Sequence, residues 1–202
     1  MIYTWVNPTS EKDMAKACYV LENDGVIAYP TDVNWGFACD VRRAKAVQKL
    51  RRLKPSHPKQ QPFTLICKDL SMVSELAIVE QPAYRILRRI LPGPWTVLLK
   101  SQKSLPKQIF DKRENVGVRV PQSPLVLDLI ERLGAPLLST SMPQEDLLQF
   151  GYQVDEKYGH ALDLILDLGD AVPWLETSIL DLTEHEPILV RHGEGDPKEV
   201  PV

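Results

Sequence analysis

Short apolar runs alternate with segments whose apolar positions recur every three or four residues, from one end of the chain to the other. Residues 2–6 read as a strand. Ser10 follows as a helix N-cap with Asp13 three residues on, and the helix is predicted to run to about Asn23 and stop at Gly25. The continuous apolar run 25–29, GVIAY, reads as a buried strand. Val47, Leu50 and Leu53 keep helical spacing within 42–53, and Pro55 ends that helix. A strand is predicted at 63–67, and Asp69 caps a short helix over 70–76. Pro82 opens a helix over 83–91, which Pro92-Gly93 terminates. Further strands are predicted at 95–100, 116–120, 136–140, 162–166, 178–182 and 188–191, with an amphipathic helix at 124–133. Segments 101–115 and 142–155 lack a clear period and read as loops, which often carry function. With no repeat or linker, this alternation predicts an α/β (mixed α+β) layer fold in one domain, 1–202.

Composition changes this picture little. Hydrophobic residues at 44% and charged residues at 25% are ordinary globular values. No apolar run reaches the roughly 18 residues of a membrane span, so no membrane partner is expected. The N-terminus has no basic region leading into an apolar stretch and is not read as a signal peptide. Cys18, Cys39 and Cys67 sit in apolar surroundings, form no metal-like pair, and read as buried thiols of a bacterial-type cytoplasmic protein. His57, His160, His185 and His192 show no spacing that suggests a metal site.

Charge is more informative. The net charge of −3 conceals a polarity: residues 1–113 hold 19 Lys/Arg against 10 Asp/Glu, and residues 114–202 hold 5 against 17. The densest basic block runs from Arg42 to Lys59. Arg42, Arg43, Lys49, Arg52 and Lys54 are the candidates there for contact with phosphates, nucleotide or RNA. An ordinary solvated helix face accounts for the run equally well.

The stretch 29–37, YPTDVNWGF, follows the buried strand directly. Pro30 fixes its own φ, and Thr31 and Asp32 place a hydroxyl and a carboxylate at a strand's carboxyl end, where open α/β sheets bind ligands. Pro, Asp, Asn and Gly are also turn residues, so a plain turn is the alternative. The chain has neither a GxxxxGK[ST] phosphate loop nor a GxSxG nucleophile elbow. No catalytic residue acting by covalent chemistry is indicated, and any chemistry would rest on positioning and electrostatics.

The same stretch resembles the opening motif of the YrdC/YciO family of threonylcarbamoyl-AMP synthase-like proteins, Pro-Thr-(Asp/Glu)-Thr-x-Tyr-Gly-Leu. Five further stretches follow in the family's order: PGPWT at 92–96, GVRVP at 117–121, LSTS at 138–141, TSILD at 177–181 and VRHG at 190–193. The resemblance implies a single twisted open sheet with helices on its convex side and a concave, ligand-binding face. It implies nucleotidyl transfer from ATP to a carbamate made from L-threonine and bicarbonate, in service of tRNA modification, with Mg²⁺ carried by the phosphates. It also implies binding of double-stranded RNA as the alternative to catalysis.

Carried over by position, Thr31, Arg119, Ser139 and Thr177 are the substrate-binding candidates. Arg51, Asn115, Ser141 and Arg191 are the nucleotide-binding candidates. Each has a plainer alternative: a turn hydroxyl for Thr31, a salt bridge to Asp or Glu for Arg119, strand hydroxyls for the serines and Thr177, a loop cap for Asn115. Two departures are visible. Leu53 stands where the synthases carry the Arg of a Lys-x-Arg pair, and Pro143 stands where they carry Asn. Both resemble the family's YciO branch.

Overall fold

Ser10 accepts a hydrogen bond from the Asp13 N–H and starts the first helix, α1, Glu11–Glu22. The helix ends on Asn23, and Asp24 takes a left-handed conformation at φ 60° while the Gly25 N–H bonds the Val20 carbonyl. This is a Schellman-type stop with aspartate in the position glycine usually takes. Gly25 is needed one residue later, because a Cβ there would lie 2.4 Å from Val20 Cγ1 and 2.5 Å from the Val20 carbonyl oxygen.

The computed structural model describes residues 2–5, 10–53, 63–102, 115–143 and 146–200. Among these are ten strands in one sheet and six α-helices. The strands are β1 Ile2–Trp5, β2 Val26–Pro30, β3 Trp35–Asp40, β4 Thr64–Ile66, β5 Trp95–Lys100, β6 Asn115–Arg119, β7 Leu137–Ser141, β8 Leu164–Asp167, β9 Ser178–Asp181 and β10 Ile188–Arg191. The remaining helices are α2 Ala44–Leu53, α3 Leu70–Leu76, α4 Gln81–Ile90, α5 Pro124–Leu133 and α6 Gly151–Tyr158. Sheet order is β1-β8-β2-β3-β7-β4-β6-β5-β9-β10, with parallel and antiparallel pairs mixed. The mixed α/β fold is what the alternation predicted, and the single sheet is what the resemblance implied.

Two expectations need correction. The stretch 29–37 is not all loop: Pro30 pairs with Trp35, and WGFACD is the fully buried strand β3. The segment 142–155 is not all loop either, since α6 starts at Gly151. Most of the other expected loop, 101–115, lies outside the described residues.

Register sorts the side chains into two faces, because partners across a ladder share a face and neighbours along a strand do not. Ala28, Phe37, Cys39, Leu65, Leu138, Val97, Val118 and Leu180 fall on one face. All but the small Ala28 and Cys39 are large apolar groups, and burial of each such side chain contributes about 1.5–3 kcal/mol. They join one hydrophobic cluster with the buried stripes of the helices, such as Ala46, Val47 and Leu50 of α2 and Leu125, Leu129 and Leu133 of α5. Tyr158 at the end of α6 meets Phe37 edge-on at 4.9 Å across the same face.

The opposite face carries Tyr29, Thr64, Thr96, Asn115, Arg119, Ser139 and Ser141. Three strand spacings of about 4.8 Å separate β3 from β6, and the long Arg119 side chain of β6 reaches back across them to Asp32 in the β2–β3 turn, 2.6 Å away.

Candidate functional site

The β2–β3 turn is built by Thr31. Its hydroxyl donates to the Asn34 carbonyl at 2.7 Å and accepts from the Val33 and Asn34 N–H groups at 3.2 and 3.1 Å. The one proton and both lone pairs are engaged inside the turn, so Thr31 acts by shaping the loop that carries Asp32. Asn34 ties the turn to the Leu175 carbonyl at 3.0 Å, and the Val33 carbonyl accepts from the Leu175 N–H at 2.8 Å.

Asp32 meets Arg119 on this polar face. Asp32 Oδ1 accepts from Arg119 Nη2 at 2.6 Å, with the two side chains 14% and 7% exposed. Burial lowers the Arg119 pKa, and the Asp32 carboxylate and the neighbouring Tyr29 oppose that shift. Arg119 Nε, fully buried, has no hydrogen-bond partner among the described residues. A different arginine shows the contrast: Arg42 grips Asp40 through both Nε and Nη2 at 2.7–3.1 Å. Arg119 is held at one corner only. The sequence leaves its partner open between a ligand and an acidic side chain, and Asp32 is that acidic side chain, with part of the guanidinium unmet.

Beside this pair, Ser139 donates its single proton to the Phe37 carbonyl at 3.0 Å, so the Tyr29 hydroxyl, 2.7 Å away, is the donor between those two groups. Burial pushes the Tyr29 hydroxyl up to about 12, so it keeps its proton. The Tyr29 ring lies over Gly36, where a Cβ would come within 2.9 Å of it. Ser141 is on the same face and exposed. Asn115 is also on this face, at the exposed start of β6 opposite Lys100.

Toward the other end of the face, Thr177 and Thr96 share a hydroxyl contact of 3.0 Å. Arg191 of β10 donates to the Thr177 carbonyl from Nε and Nη2 at 3.0 and 2.8 Å and to its hydroxyl at 3.0 Å. Arg191 is thus anchored to backbone, leaving Nη1 beside Glu176 at 3.5 Å. The expected candidates Arg119, Ser139, Thr177 and Arg191 come onto one face of the sheet. Asp32, which the sequence places with Thr31 at a ligand-binding strand end, joins them as the partner of Arg119; Tyr29 and Thr96 also belong with them and are not among the residues the sequence singles out for the site.

The basic block sits on α2 and the residues before it. Arg42 is paired with Asp40 and also donates to the Leu133 carbonyl at 3.3 Å, and Lys49 pairs with Asp163 at 3.2 Å. Arg43 and Arg52 are exposed and Arg51 is half-buried. Lys54 lies outside the described residues. Leu53 packs partly buried against the core at the end of α2, and Pro143 follows β7. A cavity of about 350 Å³ between α4 and the β9–β10 turn, lined by Glu80, Arg85, Lys100, Glu184 and His185 among others, contains none of these candidates. Among the described residues no helix is long and apolar enough to cross a membrane.

The Sua5/YciO/YrdC family model, described as telomere recombination, matches residues 19–193. The chain is 33% identical over 187 residues to the uncharacterized protein YciO of Escherichia coli K12, covering 91% of this chain and 90% of that one. The crystal structure of E. coli YciO superposes with a TM-score of 0.89 at 31% identity, covering 99% of this chain and 97% of that one. A threonylcarbamoyl-AMP synthase of Idiomarina loihiensis is 31% identical over 161 residues, 77% of this chain and 86% of its own. The crystal structure of P. abyssi Sua5 complexed with L-threonine shares the fold with a TM-score of 0.80 at 23% identity, covering 95% of this chain and 56% of that one.

Proposed function

The chain belongs to the Sua5/YciO/YrdC family, and from that premise we propose that it is a threonylcarbamoyl-AMP synthase-like nucleotidyltransferase. Its substrates are ATP, L-threonine and bicarbonate. The threonine amine becomes a carbamate, a carbamate oxygen attacks the α-phosphate of ATP, and pyrophosphate leaves. Mg²⁺ accompanies the triphosphate as counter-charge, and the product serves tRNA modification. The observation that carries this reading is the buried Arg119, with a donor unmet among the described residues, on the polar face of the sheet in a chain with relatives named as synthases. A P. abyssi relative of the same fold is described as complexed with L-threonine.

In this assignment Arg119, Ser139 and Thr177 line the amino-acid end, with Thr31 shaping its rim. Asn115, Ser141, Arg191 and Arg51 lie toward the nucleotide. No covalent nucleophile is invoked: orientation of carbamate and triphosphate, together with cationic stabilisation of the phosphates, supplies the catalysis. Leu53 and Pro143 remove a guanidinium and an amide from the nucleotide end, so weak handling of ATP is expected. Calorimetric titration with ATP and with L-threonine at millimolar concentration tests the assignment. Heat for both supports it, and a folded protein that gives heat for neither overturns it. A double-stranded RNA reading draws less support, because Arg42 and Lys49, two of its five basic candidates, are already neutralised by Asp40 and Asp163.

A further inference from the structure

The cavity between α4 and the β9–β10 turn has walls that hydrogen bonds fix in place. The Ile78 N–H donates to the Lys100 carbonyl at 2.8 Å, and the Leu182 N–H donates to the Leu98 carbonyl at 2.9 Å. The Thr183 N–H and hydroxyl both donate to Asp181 Oδ1, at 2.8 and 2.7 Å, and hold the turn. Ile78, Ile86, Leu182 and Pro187 supply apolar wall, with Arg85 and Lys100 beside them. A preformed concavity of about 350 Å³ with apolar walls and a few charged groups has the size and make-up of a small-molecule site. No residue assigned to the amino-acid end or the nucleotide end lines it.

Charge sets the sign of the ligand. Arg42, Arg119, Arg132 and Arg191 each have an acidic partner within 3.5 Å. Arg85 has no ion pair or hydrogen bond among the described residues, and neither have Arg88 and Arg89, exposed three and four positions further along α4. Like charges at that spacing are neighbours on a helix and repel. Lys100 meets Glu184 at 3.9 Å, beyond hydrogen-bond reach, with the two side chains 53% and 73% exposed. Such a pair contributes little, and Lys100 is free to turn to a ligand. Against these four cations stand Glu80 and Glu184 in the lining and Glu186 in the turn, all exposed. The surroundings therefore carry a surplus of one positive charge, which attracts an anion. A single negative charge balances that surplus, whereas a dianion would face Glu80 and Glu184 uncompensated.

We infer that this cavity binds a small organic monocarboxylate, its carboxylate held by Arg85 and Lys100 and its apolar body by Ile78, Ile86, Leu182 and Pro187. The inference is independent of the synthase reading. It is tested by calorimetric titration of the intact protein with hexanoate, and with 1-hexanol, hexylammonium, acetate and hexyl phosphate for comparison. The wild type should bind hexanoate at millimolar concentration, at least about tenfold more tightly than 1-hexanol, hexylammonium or acetate, and more tightly than hexyl phosphate. Arg85→Met should weaken hexanoate about tenfold. Arg88→Met, outside the lining, should leave it within about twofold. Absence of hexanoate binding at millimolar concentration overturns the inference. So does 1-hexanol or hexyl phosphate binding as tightly as hexanoate, or unchanged affinity in folded Arg85→Met. Displacement of hexanoate by ATP would overturn it as a separate site, since the cavity would then belong to the nucleotide end. Binding of hexanoate that depends on Arg85, in a folded protein that takes neither ATP nor L-threonine, would overturn the synthase reading and leave this one standing.

Discussion

Replacing both members of the Arg119–Asp32 pair should cost the protein far less stability than replacing one. Arg119→Met keeps the length of the side chain and removes the charge, stranding a carboxylate that is 14% exposed. Asp32→Asn strands a guanidinium that is 7% exposed. At a charge separation of about 4 Å and an effective dielectric of about 20, the lost attraction is about 4 kcal/mol. Removing one partner of a buried pair characteristically costs about 3–5 kcal/mol. Arg119→Met is the milder change, because it also deletes the unmet Nε donor, whose burial costs about 1–3 kcal/mol; a net loss of about 2 kcal/mol is expected. Asp32→Asn keeps an acceptor for Nη2 but leaves the cation unbalanced, and a loss of about 3 kcal/mol is expected. The double variant Arg119→Met, Asp32→Asn contains neither stranded charge and should return to within about 1 kcal/mol of the wild type while losing the amino acid. Urea unfolding of the four proteins gives the cycle, and the coupling should have a magnitude of several kcal/mol. Additive losses in the double variant would refute the reasoning, since the pair would then be a structural tie whose removal the core cannot absorb.

Three further outcomes are expected. Gly36→Ala sets a Cβ within 2.9 Å of the Tyr29 ring. It should lower stability by about 1–3 kcal/mol as the ring is displaced, and unchanged thermal unfolding would mean the ring is not seated there. Burial pushes the Cys39 thiol up from 9.0 to about 12 and the Tyr29 hydroxyl up from 10.0 to about 12, and raises the Cys67 thiol as well. Their folded pKa values lie above the unfolded ones, so this stability is fully present below pH 9 and is lost as pH rises toward 12, by about 1.4 kcal/mol for each pH unit that a single group traverses between its two values. Denaturant midpoints should fall across that window, and less steeply from pH 9 in Cys39→Val; an identical slope in the variant would contradict the assignment. The double variant Leu53→Arg, Pro143→Asn should raise ATP affinity about tenfold, equivalent to about 1.4 kcal/mol, as read by calorimetry; a folded variant with unchanged affinity would show that the nucleotide end is built from other residues.

The regular elements are legible where local chemistry agrees with tertiary packing. Ser10 and Asp13 announce α1, Asp69 announces α3, and the apolar stripe of 124–133 announces α5, and each forms where expected. β3 is not legible because both its faces are buried. WGFACD therefore shows no alternation, and its glycine and the preceding turn residues suggest a loop. α6 is hidden for the opposite reason. GYQVDEKY buries little besides Val154, its N-cap Phe150 offers no side-chain acceptor, and it is held by Tyr158 against Phe37 and by Gln153 reaching back to the Phe150 N–H. The candidate site is legible as a set of motifs but not as a set of contacts. Asp32 and Arg119 are 87 residues apart, and Tyr29 and Ser139 are 110 apart. Strand order and register bring them together, and no local pattern encodes that pairing.

The central claim is tested most directly by incubating the purified protein with ATP, Mg²⁺, bicarbonate and L-threonine. Pyrophosphate release and the adenylate product, identified by mass, are then measured with each component omitted in turn. Release that requires both L-threonine and bicarbonate, with threonylcarbamoyl-AMP formed in step and abolished by Arg119→Met, is the predicted result. A folded protein that forms no adenylate at millimolar substrates, or that releases pyrophosphate regardless of L-threonine, would contradict it.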